Sequence, residues 1–144
     1  MRPLIIPPIP TRYRNVQFRS RLEARFAAFC DIAGWDWHYE PEDLDGWIPD
    51  FAVMGPAGKV VFVENKPIYW RTSEYYLHAD IDDNDRQDIA KIYRNVGRWG
   101  EGGREVLITG VNLARSRTWH DSAILGRLLY PSLIRDFDPT DTIG

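Results

Sequence analysis

The sequence predicts an α/β domain whose elements run helix, three strands, helix, strand, helix. Three observations predict it. Apolar residues recur at helical spacing between Val16 and Ala33, large apolar side chains alternate in three consecutive runs between Trp35 and Lys66, and helical spacing returns from Asn84 to Val96 before the strand-like "EVLITG". At 144 residues the chain is long enough to bury one real core, so residues 1–144 are expected to form one domain.

Each element has its local reason. Residues 1–15 form a proline-rich arm, with "MRPLIIPPIP" stiffened into an extended course. The first helix places Leu22, Phe26, Phe29 and Ala33 on one face, and Gly34 supplies its stop. "WDWHYEP" alternates large aromatics, "LDG" turns the chain, and "WIPDFAV" and "KVVFVENK" are strands joined through "GPAG". "PIYWRTSEYYLHADIDD" has no clean period and reads as a long loop with some helix. The second helix begins among aspartates, which suit its dipole, and buries Ile89, Ile92, Tyr93 and Val96. "GRWGEGGRE" lacks the Lys-Ser/Thr of a phosphate-binding loop and is a turn. A last helix is expected from Ser122 to Tyr130, ended by Pro131.

Composition excludes several functions. A single cysteine, Cys30, rules out an internal disulfide framework and a cysteine-built zinc site; its apolar flanks suit a buried structural thiol. A net charge of −3 argues against a broad electropositive surface. The N-terminus is too rich in proline for a signal peptide and no stretch approaches a membrane span, so a cytoplasmic protein is expected.

The charged ends of the two apolar strands hold the chemistry. Along "KVVFVENK", Val60, Phe62, Glu64 and Lys66 share one face; along "WIPDFAVM", Ile48, Asp50, Ala52 and Met54 do. An antiparallel hairpin looping at Pro56, Ala57 and Gly58 pairs Met54 with Val60, Ala52 with Phe62 and Asp50 with Glu64, leaving Lys66 one step further. A two-residue loop would pair Asp50 with Val63 and break the arrangement. Two adjacent carboxylates repel unless a proton or a cation lies between them, and a hard divalent ion suits such oxygen ligands. The plainer alternative is a cross-strand salt bridge at an exposed sheet edge.

"PD" at Pro49-Asp50, followed by Glu64-Asn65-Lys66 on the next strand, resembles the PD-(D/E)XK nuclease superfamily, and in particular small nuclease-like proteins of phages and other mobile elements. The resemblance implies a restriction-endonuclease-like αβββαβ core, with a central mixed sheet flanked by helices. It implies metal ligation by Asp50, Glu64 and Asn65 (through its carbonyl), assistance from Glu23 on the first helix, and Lys66 as catalytic lysine. The implied activity is Mg2+- or Mn2+-dependent hydrolysis of phosphodiester bonds, in DNA before RNA, by an endonuclease that works as a homodimer. Gln87, Lys91 and Arg94 on the second helix, with Trp70 and Arg71 after the catalytic strand, are the candidate nucleic-acid contacts. Glu23 has a plainer alternative as the partner of Arg19 four residues earlier. A nuclease-fold binding module without catalysis, such as a phage-encoded inhibitor or a nucleic-acid adaptor, is the rival function.

Overall fold

The computed structural model describes residues 8–44, 46–72, 77–98, 105–116 and 122–129. The first departure from expectation comes at Val16. The chain forms a hairpin there, β1 (Thr11–Tyr13) against β2 (Val16–Phe18), turned by Arg14 and Asn15, whose φ values of 48° and 63° are both positive. Such a two-residue turn matches the twist of its strands, and Asn is one of the few side chains at ease in it. The helix cannot extend back into this hairpin because Ser20 caps it. Its backbone is extended, and its Oγ accepts the Glu23 N–H at 3.2 Å while donating to the Glu23 carboxylate at 3.1 Å. Helix α1 (Arg21–Ala33) ends at Gly34, whose φ of 75° is the left-handed conformation that glycine adopts without penalty.

Three strands follow as expected: β3 (Asp36–Tyr39), β4 (Phe51–Met54) and β5 (Val60–Asn65). The stretch read as a long loop is a second hairpin, β6 (Tyr69–Thr72) with β7 (Leu77–Asp80). Helix α2 (Asp83–Arg98) then leads to β8 (Glu105–Ser116) and β9 (Ser122–Leu129). The central sheet is mixed, ordered β3-β4-β5-β8-β9, with β5 and β8 parallel and every other pair antiparallel. Parallel neighbours require a crossover, and α2 provides it.

The expected last helix is a strand. Its residues close the sheet against β8, and Gly126 shows why: a Cβ there would lie 2.0 Å from the Ile108 carbonyl oxygen, a separation only glycine allows. Leu128 exposed beside Leu129 buried is the period of a strand at this end. Hairpin β6-β7 is fastened to β8 in the same close manner. The Asn112 side chain accepts from the Trp70 N–H at 2.8 Å and donates to the Trp70 carbonyl at 2.9 Å.

Strand parity distributes the core over two faces. Phe62, Val106, Ile108 and Leu129 pack under Ile89, Ile92 and Val96 of α2, with Trp70. Phe51, Val53 and Val63 pack with Phe18 under Phe26, Ala27 and Cys30 of α1. Cys30 is a buried free thiol, pushed up to about 12 by that burial. Among the described residues no helix is long and apolar enough to cross a membrane. Residues 1–7 of the arm, Tyr75, Tyr76, most of the glycine-rich connection and Pro131 lie outside the described residues.

Candidate active site

The β4-β5 register is the one the loop length predicts: Met54 faces Val60, Ala52 faces Phe62 and Phe51 faces Val63. Asp50 and Glu64 each adjoin the last pair, Phe51–Val63, at the end of the β4-β5 ladder, and the Glu64 charge acts on Asp50. Both are buried, 5% and 8% exposed. Asp50 Oδ2 accepts the Asn65 backbone N–H at 2.7 Å and Oδ1 accepts from Arg19 Nη2 at 3.3 Å. Glu64 Oε2 accepts from the Trp47 indole N–H at 3.1 Å, and Oε1 lies 3.4 Å from Lys66 Nζ. Lys66 Nζ also reaches Asp88 at 3.2 Å and Asp85 at 3.7 Å on the first turns of α2.

These partners do not neutralise the pair. Burial first, then the Glu64 charge, push Asp50 up to about 8; Glu23 adds to the rise, and the Asn65 N–H and Arg19 oppose it. Burial likewise raises Glu64, although Lys66, the Trp47 N–H and Arg19 pull the other way. Burial would lower Lys66, but Glu64, Asp88 and Asp85 together outweigh it and hold the ammonium above its ordinary value. Lys66 is therefore a cation at neutral pH, suited to stabilising negative charge rather than to taking up a proton.

Glu23 is buried on the α1 side, and the pair with Arg19 is present. It faces Arg19 at 3.8 Å, accepts from the Tyr39 hydroxyl at 3.1 Å, and its charge acts on Asp50. Arg19 ties the cluster together, reaching Asp50, Glu23 and Glu40. Asn65 is buried too. Its amide nitrogen donates to Thr109 Oγ1, while its Oδ1 has no hydrogen-bond partner. No group of three or more His, Cys, Asp or Glu side chains arranged for a metal occurs among the described residues; the cluster offers two facing carboxylates and the Asn65 segment.

A groove of about 480 Å³ opens beside Glu64, between Trp47 and α2; Asp50 does not line it. Glu64 and Lys66 line it, with Asp88, Lys91, Arg94 and Asn95 from the helix. Of the candidate nucleic-acid contacts, Lys91 and Arg94 thus border the acidic site. Gln87 is exposed and does not line the groove. Trp70 is only 4% exposed, a core residue that offers no stacking face, because the β6-β7 hairpin lays it against β8. Arg71 is exposed on β6, paired with Asp80 at 3.0 Å, and does not line the groove.

Sequence reasoning missed Tyr39, Trp47, Asp85 and Asp88, and placed Arg19 beside Glu23 but not beside Asp50. Asp85 and Asp88 carried a signal, since a three-residue spacing puts both on one side of the helix start; dipole complementarity explained them too easily. Compared with models of protein families, with curated proteins and with solved structures, the chain matches none.

Proposed function

We propose that the protein is a metal-dependent nuclease of the PD-(D/E)XK type, cutting phosphodiester bonds in nucleic acid, DNA before RNA. The observation that carries this reading is the pair Asp50–Glu64: each next to the last paired position Phe51–Val63, electrostatically coupled, both buried, both shifted toward their protonated forms, with the Lys66 ammonium beside Glu64. The order α1, β3-β4-β5, α2, parallel β8, with the β6-β7 hairpin inserted before α2, supports it.

The residues fit a hard divalent cation such as Mg2+ or Mn2+. Burial raises both carboxylates toward their protonated forms despite Arg19 and Lys66, a cost that a cation between them would relieve, and the segment that contacts Asp50 carries a buried acceptor, Asn65 Oδ1, with no partner among the described residues. Asp50, Glu64 and Asn65 would hold the ion. Bound there, it supplies Lewis acidity toward a phosphate oxygen and makes a bound water more acidic. The chain's own residues do the rest. Trp47 fixes the Glu64 carboxylate through its N–H, Asp88 and Asp85 hold Lys66 at the groove floor, and the Lys66 ammonium donates to phosphoryl oxygen as charge develops in the transition state. Action as a homodimer belongs to the same proposal.

A net charge of −3 favours a second reading, a nuclease-fold binding module without catalysis. Cleavage of supercoiled plasmid and of single-stranded DNA and RNA with Mg2+ or Mn2+ separates the two. Under the nuclease reading Glu64→Ala abolishes metal-dependent cleavage while the protein stays folded. Lys66→Ala lowers kcat with little loss of Mn2+ binding, because its contribution lies in the transition state. Wild-type protein that cuts nothing, or cleavage that survives Glu64→Ala, refutes it.

A further inference from the structure

Two cations on the α2 wall of the groove stand without a partner. Arg14, Arg19, Lys59, Lys66 and Arg71 each pair with a carboxylate. Lys91 and Arg94 are exposed and form no ion pair among the described residues. Three positions apart on one helix, they project from neighbouring turns, with Cβ atoms about 5–6 Å apart. Both line the groove that Glu64 and Lys66 share. Toward its start α2 turns acidic, through Asp88, Asp85 and Asp83, so among the described side chains the cationic rim is about one turn long.

We propose that this groove seats one strand of a nucleic acid, with Lys91 and Arg94 holding the phosphates that flank the cut, and that the substrate is a single-stranded phosphodiester chain. The assignment rests on the nuclease reading of Asp50, Glu64 and Lys66 and names the substrate of that site. Three observations favour a single strand over a duplex. The groove's volume of about 480 Å³ falls in the range of small-molecule pockets, about 300–1,000 Å³, which accommodates a nucleotide or two and not the width of a double helix. A duplex carries charge on both strands, one per ~1.7 Å of axis, whereas this face of a net-acidic chain offers one short row of two unpaired cations. The wall facing them is the half-buried Trp47, an indole on which an unpaired base stacks, and Asn95 beside Arg94 presents an amide that both donates and accepts.

The test measures binding of the full chain to short labelled oligonucleotides of one sequence, as single-stranded DNA, single-stranded RNA and duplex DNA, with Ca2+ in place of Mg2+. Single strands are expected to bind more tightly than the duplex, with the DNA and RNA arms showing which sugar is preferred. With two phosphates neutralised, affinity should fall about sevenfold between about 50 and about 200 mM salt, and only about 2.6-fold in Lys91→Ala or Arg94→Ala. Arg25→Ala, which removes an exposed cation from α1 on the other side of the sheet, should leave the salt dependence unchanged. Duplex binding as tight as single-strand binding overturns the assignment. So does a salt dependence that the Lys91→Ala/Arg94→Ala double variant leaves intact or that Arg25→Ala reduces equally. Mn2+-dependent cleavage that needs Glu64 but ignores strandedness, Lys91 and Arg94 would remove this inference and leave the nuclease reading standing. Single strands held by Lys91 and Arg94 without cleavage under any metal would do the reverse.

Discussion

Asp50 is held where burial and the Glu64 charge both oppose its ionisation, and its pKa rises from 3.8 to about 8. The sign of the pH effect follows. A carboxyl whose folded-state value exceeds its unfolded value takes up a proton on folding, so its contribution to stability is full below about pH 4 and is lost as pH rises through about 8. The Tm of the metal-free protein is expected to fall between about pH 5 and about pH 8.5, and Asp50→Asn should remove most of that slope; thermal melts across the range check it. Trp47 acts on the other carboxylate. Trp47→Phe keeps a ring but deletes the N–H that orients Glu64, and outer hydrogen-bond partners of metal ligands are worth about 10–100-fold in affinity. A loss of about tenfold in Mn2+ affinity, measured calorimetrically, is expected. At this scale Asp50, Glu64 and Lys66 were legible because strand alternation and loop length together fix the register. Trp70 and Arg71 were not. An aromatic and a cation side by side look alike whether they face solvent or a neighbouring strand, and only the Asn112 clamp on Trp70 decides.

Elements were legible where local chemistry and tertiary demand agree. Ser20 is the N-cap of α1 and Gly34 its left-handed stop, both readable in principle; helical spacing nevertheless drew the start of α1 back into the β1-β2 hairpin. Ser20→Ala should cost about 1 kcal/mol in denaturant unfolding, and it also frees one Glu23 oxygen beside the site. At the other end, the residues of β9 were read as helix because their local pattern permits it. Tertiary context overrides that preference, since β8 needs a partner and Gly126 allows the approach. Gly126→Ala is the test of that account. The new methyl would meet the Ile108 backbone, which cannot swing aside as a flexible side chain does, so a loss of about 3 kcal/mol is expected. A neutral Gly126→Ala would mean that β9 sits further from β8 than this packing requires.

Across the molecule, the candidate site is where the two halves of the core meet. Asp50 is tied to Arg19, beside the start of α1, while Glu64, Lys66 and the groove belong to the α2 side. The succession α1, β3, β4, β5, α2, β8 was readable because each of those elements carries its own period. The closing strand and the β6-β7 hairpin were not, because contacts distant in sequence decide them. A cation bound between Asp50 and Glu64 would stabilise the whole fold, since it binds the native arrangement and not the unfolded chain. At a concentration near 100 times its Kd the gain is about 2.7 kcal/mol, and at about 2–4 °C per kcal/mol for a chain near this length the Tm should rise by roughly 5–11 °C. Because Asp50 must release its proton first, the rise should be larger at about pH 8 than at about pH 6, where metal and proton compete for the same carboxylate. Melts with and without Mn2+ at the two pH values, repeated on Asp50→Asn and Glu64→Ala, decide the matter. A metal-induced rise that is equal at both pH values, or that survives loss of either carboxylate, would place the cation elsewhere.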